Sequence, residues 1–170
     1  TDIIKTRVTK MIEQDLQDDP YAQEAFSKLL RQAIAEAEQQ FEHPLKQYLL
    51  FHEFEQQVKE RRLDDIPDKF SGNKHAQAYF GVLKKQLPEA LANNPSLSDA
   101  WVALAFDIDK SVTESVAENS INPQNIEADI RKKLLPQMFA LSKSVGGGME
   151  QAKAIVEMIV QITRVGIRGI

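Results

Sequence analysis

Apolar residues recur along this chain at three- and four-residue spacing, interrupted by short clusters of proline, glycine, aspartate and asparagine. That period places them on one face of an α-helix, and the clusters mark where one helix stops and the next starts. Ile4, Val8, Met11/Ile12 and Leu16 form the first stripe. Asp19-Pro20 then reads as an N-cap followed by proline at the first helical position, where an N–H would have no partner anyway. The second stripe is Ala22, Phe26, Leu29, Ala33 and Ala37, widened by Leu30 and Ile34. Pro44 opens a third helix carrying Tyr48, Phe51, Phe54/Glu55 and Val58.

The stretch 63–73 holds Pro67, Gly72 and several turn formers, and it is the longest non-helical segment. Asn73 can cap a fourth helix with the stripe Ala76, Tyr79/Phe80, Leu83 and Leu87. A turn at Asn93-Asn94-Pro95-Ser96 offers Ser96 as the next cap, ahead of Trp101, Leu104/Ala105, Ile108, Val112 and Val116. Asn122-Pro123 repeats the cap-then-proline signature before Ile126, Ile130, Leu134, Met138 and Leu141. Pro136 falls inside that helix, where it removes a backbone donor and is expected to kink or interrupt it. The glycines 146–148 end it, and a last helix carries Ala152, Ile155/Val156, Ile159 and Ile162.

No stretch alternates with period two, and no segment of solenoid length repeats. The pattern therefore predicts an all-α fold, an irregular bundle of about seven helices with essentially no sheet. It forms one helical domain over residues 1–170, with a candidate internal boundary at 63–73.

Composition narrows the class without naming a function. With 170 residues, 42% hydrophobic and 27% charged, the chain matches an ordinary globular protein. It has no cysteine, so disulfides and thiolate metal sites are excluded, and a reducing compartment is expected, namely the cytoplasm. A net charge of -4 argues against a nucleic-acid module that is basic all over. The most apolar segment, 152–167, is broken by Glu157, Gln161 and Arg164, so no membrane span is expected. The chain opens on Thr1-Asp2-Ile3-Ile4, already in a helical pattern, and is expected to be a C-terminal fragment of a larger subunit.

Catalytic constellations are missing from the pattern. A helical zinc site needs two histidines one turn apart, with a glutamate beside the first. His52-Glu53 begins that way, but the next turn brings Gln56. His43, His52 and His75 read as surface or helix-end residues. The glycine run is neither preceded by a strand nor followed by Lys-Ser/Thr, so it is a turn and not a phosphate loop. The pairs Asp18-Asp19, Asp64-Asp65 and Asp107/Asp109 read as solvated carboxylates.

Three basic clusters remain: Lys59/Arg61/Arg62, Lys84/Lys85 and Arg131/Lys132/Lys133, with Arg164 and Arg168 near the end. Such clusters either contact phosphates or form the polar face of a helix. Phe70, between Lys69 and Ser71, either anchors its loop or meets a partner. Arg131, Lys132, Lys133 and Phe70 are thus the candidate partner- or phosphate-contacting residues. No catalytic, cofactor-binding or metal residue is assigned.

Several segments, in order, resemble the C-terminal helical region of the motor (R) subunit of type I restriction enzymes. They are the helix-rich stretch 26–58, His75-Ala76-Gln77-Ala78-Tyr79-Phe80-Gly81-Val82-Leu83-Lys84, Leu104-Ala105-Phe106-Asp107-Ile108-Asp109-Lys110-Ser111-Val112, and the helix 125–135. The likeness covers about residues 20–145. Where many members carry a Trp-containing turn before the last signature helix, this chain has Ser120-Ile121-Asn122-Pro123.

The resemblance implies an assembly domain that docks the motor subunit onto the methyltransferase and specificity subunits, reaching DNA through the parent complex. The parent would be an ATP- and Mg-dependent translocase and site-specific deoxyribonuclease. Its nuclease and ATP-binding motifs are not present here, so the fragment itself needs no cofactor. The alternative is an independent helical nucleic-acid-binding module, which predicts binding that falls steeply with salt. A helical enzyme with a pocket invisible in the sequence is a third reading, and a packing scaffold a fourth.

Overall fold

The computed structural model of the chain describes residues 2–39 and 43–168, the side chains of 167 and 168 excepted. Among the described residues there are eight α-helices and no strand. They are α1 (Asp2–Lys10), α2 (Pro20–Gln39), α3 (Pro44–Lys59), α4 (Lys74–Gln86), α5 (Pro88–Asn93), α6 (Ser98–Glu118), α7 (Ile126–Ser144) and α8 (Met149–Arg168). The helix beyond the expected seven is α5, six residues opened by Pro88. The chain divides into two compact units, Thr1–Lys74 and His75–Ile170, so the division falls directly after the 63–73 stretch.

In the first unit α1 and α2 each pack on α3. Arg7 pairs with Glu55, and Arg61 reaches the Asp15 carbonyl, so α1 and α3 run the same way. Gln47 Nε2 donates to the Ala37 carbonyl at 2.6 Å, which sets the end of α2 beside the start of α3. The first stripe is buried at Ile4, Val8, Ile12 and Leu16, spaced strictly by four. A regular helix of 3.6 residues per turn would rotate such a stripe away from the core. Here α1 runs into a π-helical turn at Met11–Asp15, and the wider turn keeps Ile12 and Leu16 inside.

Asp19 caps α2 as the sequence reading expects, accepting from the Ala22 amide at 3.1 Å. The inner face of α2 is Ala22, Phe26, Leu30, Ala33 and Ala37, and Phe26 meets Phe54 edge to face at 6.1 Å. At the other end of α3, Arg61 holds the left-handed conformation (φ 53°). Its amide donates to the Val58 carbonyl and that of Arg62 to the Gln57 carbonyl, both at 3.0 Å. This is a Schellman closure with arginine where glycine is usual.

The second unit is centred on α7 and α8, an antiparallel pair with α6 packed on α7. Ile126, Ile130, Leu134 and Met138 of α7 face Ala152, Ile155, Val156, Ile159 and Val160 of α8 in a buried core. Each fully buried isoleucine or leucine contributes about 1.5–3 kcal/mol relative to exposure. The glycine turn closes α7 by the same device as α3. Gly146 sits at φ 85°, its amide bonds to the Lys143 carbonyl, and the Gly147 amide bonds to the Ser142 carbonyl at 2.7 Å.

Two local expectations are corrected. Of the kink or interruption expected at Pro136, the interruption does not occur, because α7 runs unbroken from Ile126 to Ser144. Pro136 lies on the exposed side, where water can satisfy the carbonyl that has lost its donor. Ser96 does not cap α6 either. It lies in a 3-10 turn at Pro95–Leu97, and α6 begins at Ser98 without a side-chain cap. Similarly, Asn122-Pro123 leads into a 3-10 turn, Pro123–Asn125, before α7 begins.

Candidate interaction surface

The basic triplet lies on the second turn of α7. Consecutive helical residues point about 100° apart, and the three cations separate accordingly. Arg131 turns to α8 and grips Glu157 with two bonds, Nε–Oε1 at 2.7 Å and Nη2–Oε2 at 3.1 Å. Lys133 turns to the end of α6, 3.0 Å from Glu118, and also lies 3.1 Å from Asp129 on its own helix. Lys132 points outward and is exposed.

A second α7–α8 link joins Arg164 to Glu127. The bond to Glu157 raises the Arg131 pKa, and the bond from Arg131 lowers that of Glu157. Lys133 is raised by its bond to Glu118. The Asp129 carboxyl is lowered by its polar neighbours, first the Ser115 hydroxyl and then the Lys133 ammonium. The triplet is thus two helix–helix clasps and one outward lysine. Exposed pairs of this kind are worth at most about 1 kcal/mol each and weaken with salt.

The apolar stripe of α7 is turned inward, and none of the large exposed apolar side chains lies on this helix. Phe70 belongs to the first unit, in a 3-10 turn at Asp68–Phe70, and is 1% exposed. Of the two roles read for it, anchoring its loop is the one its burial fits.

The other basic cluster near the end of α3 is also drawn into the fold. Lys59 lies 3.9 Å from Glu55, Arg62 3.1 Å from Glu60, and Arg61 2.9 Å from Asp18. Lys74 adds a second cation 3.7 Å from Asp18. Asp18 and Asp19 are therefore not solvated carboxylates, as their sequence context suggests; Asp19 is 1% exposed. Burial pushes the Asp19 carboxyl up to about 6, against the pull of the Ala22 amide and Arg61, with Asp18 adding to the rise. Beside them the Tyr21 hydroxyl donates to Asp65, and burial together with that carboxylate pushes the phenol pKa up.

Of the large exposed apolar side chains, Ile121 and Met149 stand singly in the second unit, and a group of three lies at the start of α3. Leu45, Tyr48 and Leu49 are 71%, 45% and 47% exposed. With His52, whose ring stacks on Tyr48 at 5.9 Å, they follow i, i+3, i+4, i+7 spacing. Ile3 is 79% exposed on α1, which runs parallel to α3, so it lies toward the same end of the unit.

Sequence reading put Tyr48 on the inner stripe with Phe51, Phe54 and Val58; in the structure those three are buried and Tyr48 is not. The signal for a second stripe was present in the Leu45–Tyr48–Leu49–His52 spacing, overlapping the first. His43, His52 and His75 are all exposed. Among the described residues no group of three His, Cys, Asp or Glu is placed to hold a metal ion, and no helix is long and apolar enough to cross a membrane. No family model matches the chain, no curated protein matches it, and no solved structure does.

Proposed function

We propose that this chain is a helical docking module, the assembly domain of a type I restriction motor subunit, joining it to the methyltransferase–specificity core. The single observation that carries a docking role is the uncovered stripe Leu45–Tyr48–Leu49 on α3. A helix that fills the core with one stripe and leaves a second in water has the form of a partner-binding helix, with i, i+3, i+4 anchors and a rim of charge at Lys46 and Glu53. The choice of partner rests on the sequence resemblance. In this reading the fragment holds no ATP or Mg of its own and reaches DNA only through the assembled complex.

A free-standing nucleic-acid module has less support, because Arg131 and Lys133 are engaged by carboxylates and only Lys132 of the triplet points outward. The test is co-elution with a purified methyltransferase–specificity complex of the same source, with and without DNA, at low and moderate salt. Binding without DNA that survives moderate salt is expected. Binding only with DNA, lost as salt rises, would instead favour the nucleic-acid module.

A further inference from the structure

A cavity of about 380 Å³ opens among α4, α6 and α8, wholly within the second unit. Val112, Val116 and Ala117 of α6 and Ile162 of α8 give it apolar walls. Val112, Ile162 and Thr163 are buried, Val116 and Asp109 half-buried, and His75, Thr113 and Ala117 exposed toward the mouth. Spaces between the helices of a bundle are common ligand sites, and small-molecule sites span roughly 300–1,000 Å³. Gly166 of α8 borders the cavity, and a Cβ there would meet no atom within 4 Å.

The chemistry of the lining limits what enters. Among the described residues no lysine or arginine borders the cavity, so an anionic group would lack a counter-charge there and would face the Asp109 carboxylate. Among the described lining residues Asp109 is the one charged group and is half-buried, while the walls that would surround a ligand are apolar. The Thr163 hydroxyl donates its proton to the Ile159 carbonyl, at 2.9 Å, and keeps only acceptor capacity. We propose that this cavity binds a small, uncharged, mostly apolar molecule, with an aromatic or branched aliphatic body and at most one hydrogen-bonding group at the mouth, where His75 and Thr113 stand. Burial of the apolar body against the four wall residues supplies the affinity.

The experiment uses the full chain and two fluorescent dyes of similar shape, neutral N-phenylnaphthylamine and anionic anilinonaphthalene sulfonate. The neutral dye is expected to bind saturably at one site, and the anionic dye at least tenfold more weakly. Gly166→Leu and Ala117→Leu fill the cavity from two different helices. Each is expected to weaken the neutral dye tenfold or more while keeping the helical circular-dichroism spectrum and a cooperative melt.

Three results would overturn the proposal: no saturable binding of the neutral dye, equal binding of both dyes, or undiminished binding in the two filled variants. Displacement of the dye by the methyltransferase–specificity complex would also overturn it, making the cavity a socket for a partner's side chain. The docking role at α3 stands or falls separately, because neither filling substitution touches that helix.

Discussion

Asp19 opens α2 with one carboxylate oxygen on the Ala22 amide and the other facing no donor. Its ionisation is therefore resisted in the fold and unopposed in the unfolded chain. A carboxyl raised from 3.8 to about 6 adds stability below pH 4, and that contribution is lost as pH rises through 6. At pH 7.5 an asparagine keeps the capping oxygen and carries no charge, so Asp19→Asn is expected to stabilise by about 1–2 kcal/mol. At pH 4 the two proteins should melt nearly together. Thermal melts at both values check this, and a variant that melts lower at pH 7.5 would show that the carboxylate is well solvated.

Arg61 illustrates the opposite balance. Glycine would relieve its left-handed backbone by about 1 kcal/mol. It would also remove the guanidinium that holds Asp18 and the Asp15 carbonyl, leaving Asp18 with Lys74 alone. Loss of one partner from a largely buried pair costs more than the strain. Arg61→Gly is accordingly expected to lower stability by about 1–3 kcal/mol in denaturant titration, despite being the better residue for the turn. The cap at Asp19 can be read from sequence, but neither its burial nor the Arg61–Asp18 pair can, since both depend on what the fold brings beside them.

At the scale of elements, α7 carries a proline that its sequence suggests should disrupt it, and α3 carries two stripes where one was expected. Pro136 is tolerated because it faces water and the core side of α7 is held by Ile130, Leu134 and Met138. Pro136→Ala restores the missing amide, and the expected gain is about 1–3 kcal/mol, seen as a higher midpoint with an unchanged denaturant slope. No gain would mean that the missing amide costs nothing at this solvent-facing position.

The closing turn of the same helix gives a contrary test. Gly146→Ala meets no atom but must hold φ 85°, and should cost about 1 kcal/mol. Seven of these helices were legible because their stripes and breaks are local. The short α5 was not, since Pro88 both ends one helix and starts the next within a few residues of the Asn93–Ser96 turn. The π-helical turn after α1 had a faint signal, the strict four-residue spacing of Ile4, Val8, Ile12 and Leu16.

For the whole molecule, the chain divides after Lys74 into two compact units. The surface is less legible. Whether a lysine or arginine is free depends on which carboxylate a distant helix brings beside it, and Glu157 lies 26 positions from Arg131. Likewise, the inner stripe of α3 can be told from the outer one only when α1 and α2 are seen to cover it. The cavity among α4, α6 and α8 has no local signature at all, because it is made of space that three helices leave between them.

The central claim is that the α3 stripe docks this chain onto a methyltransferase–specificity core. The most direct measurement is the affinity of Leu45→Glu/Leu49→Glu for that complex, beside the parent chain and a Lys132→Glu control. Both leucines are already exposed, so the double variant should fold and melt as the parent does. The account predicts a loss of binding of a hundredfold or more in the double variant and little change in the control. Undiminished binding in a folded double variant would contradict it.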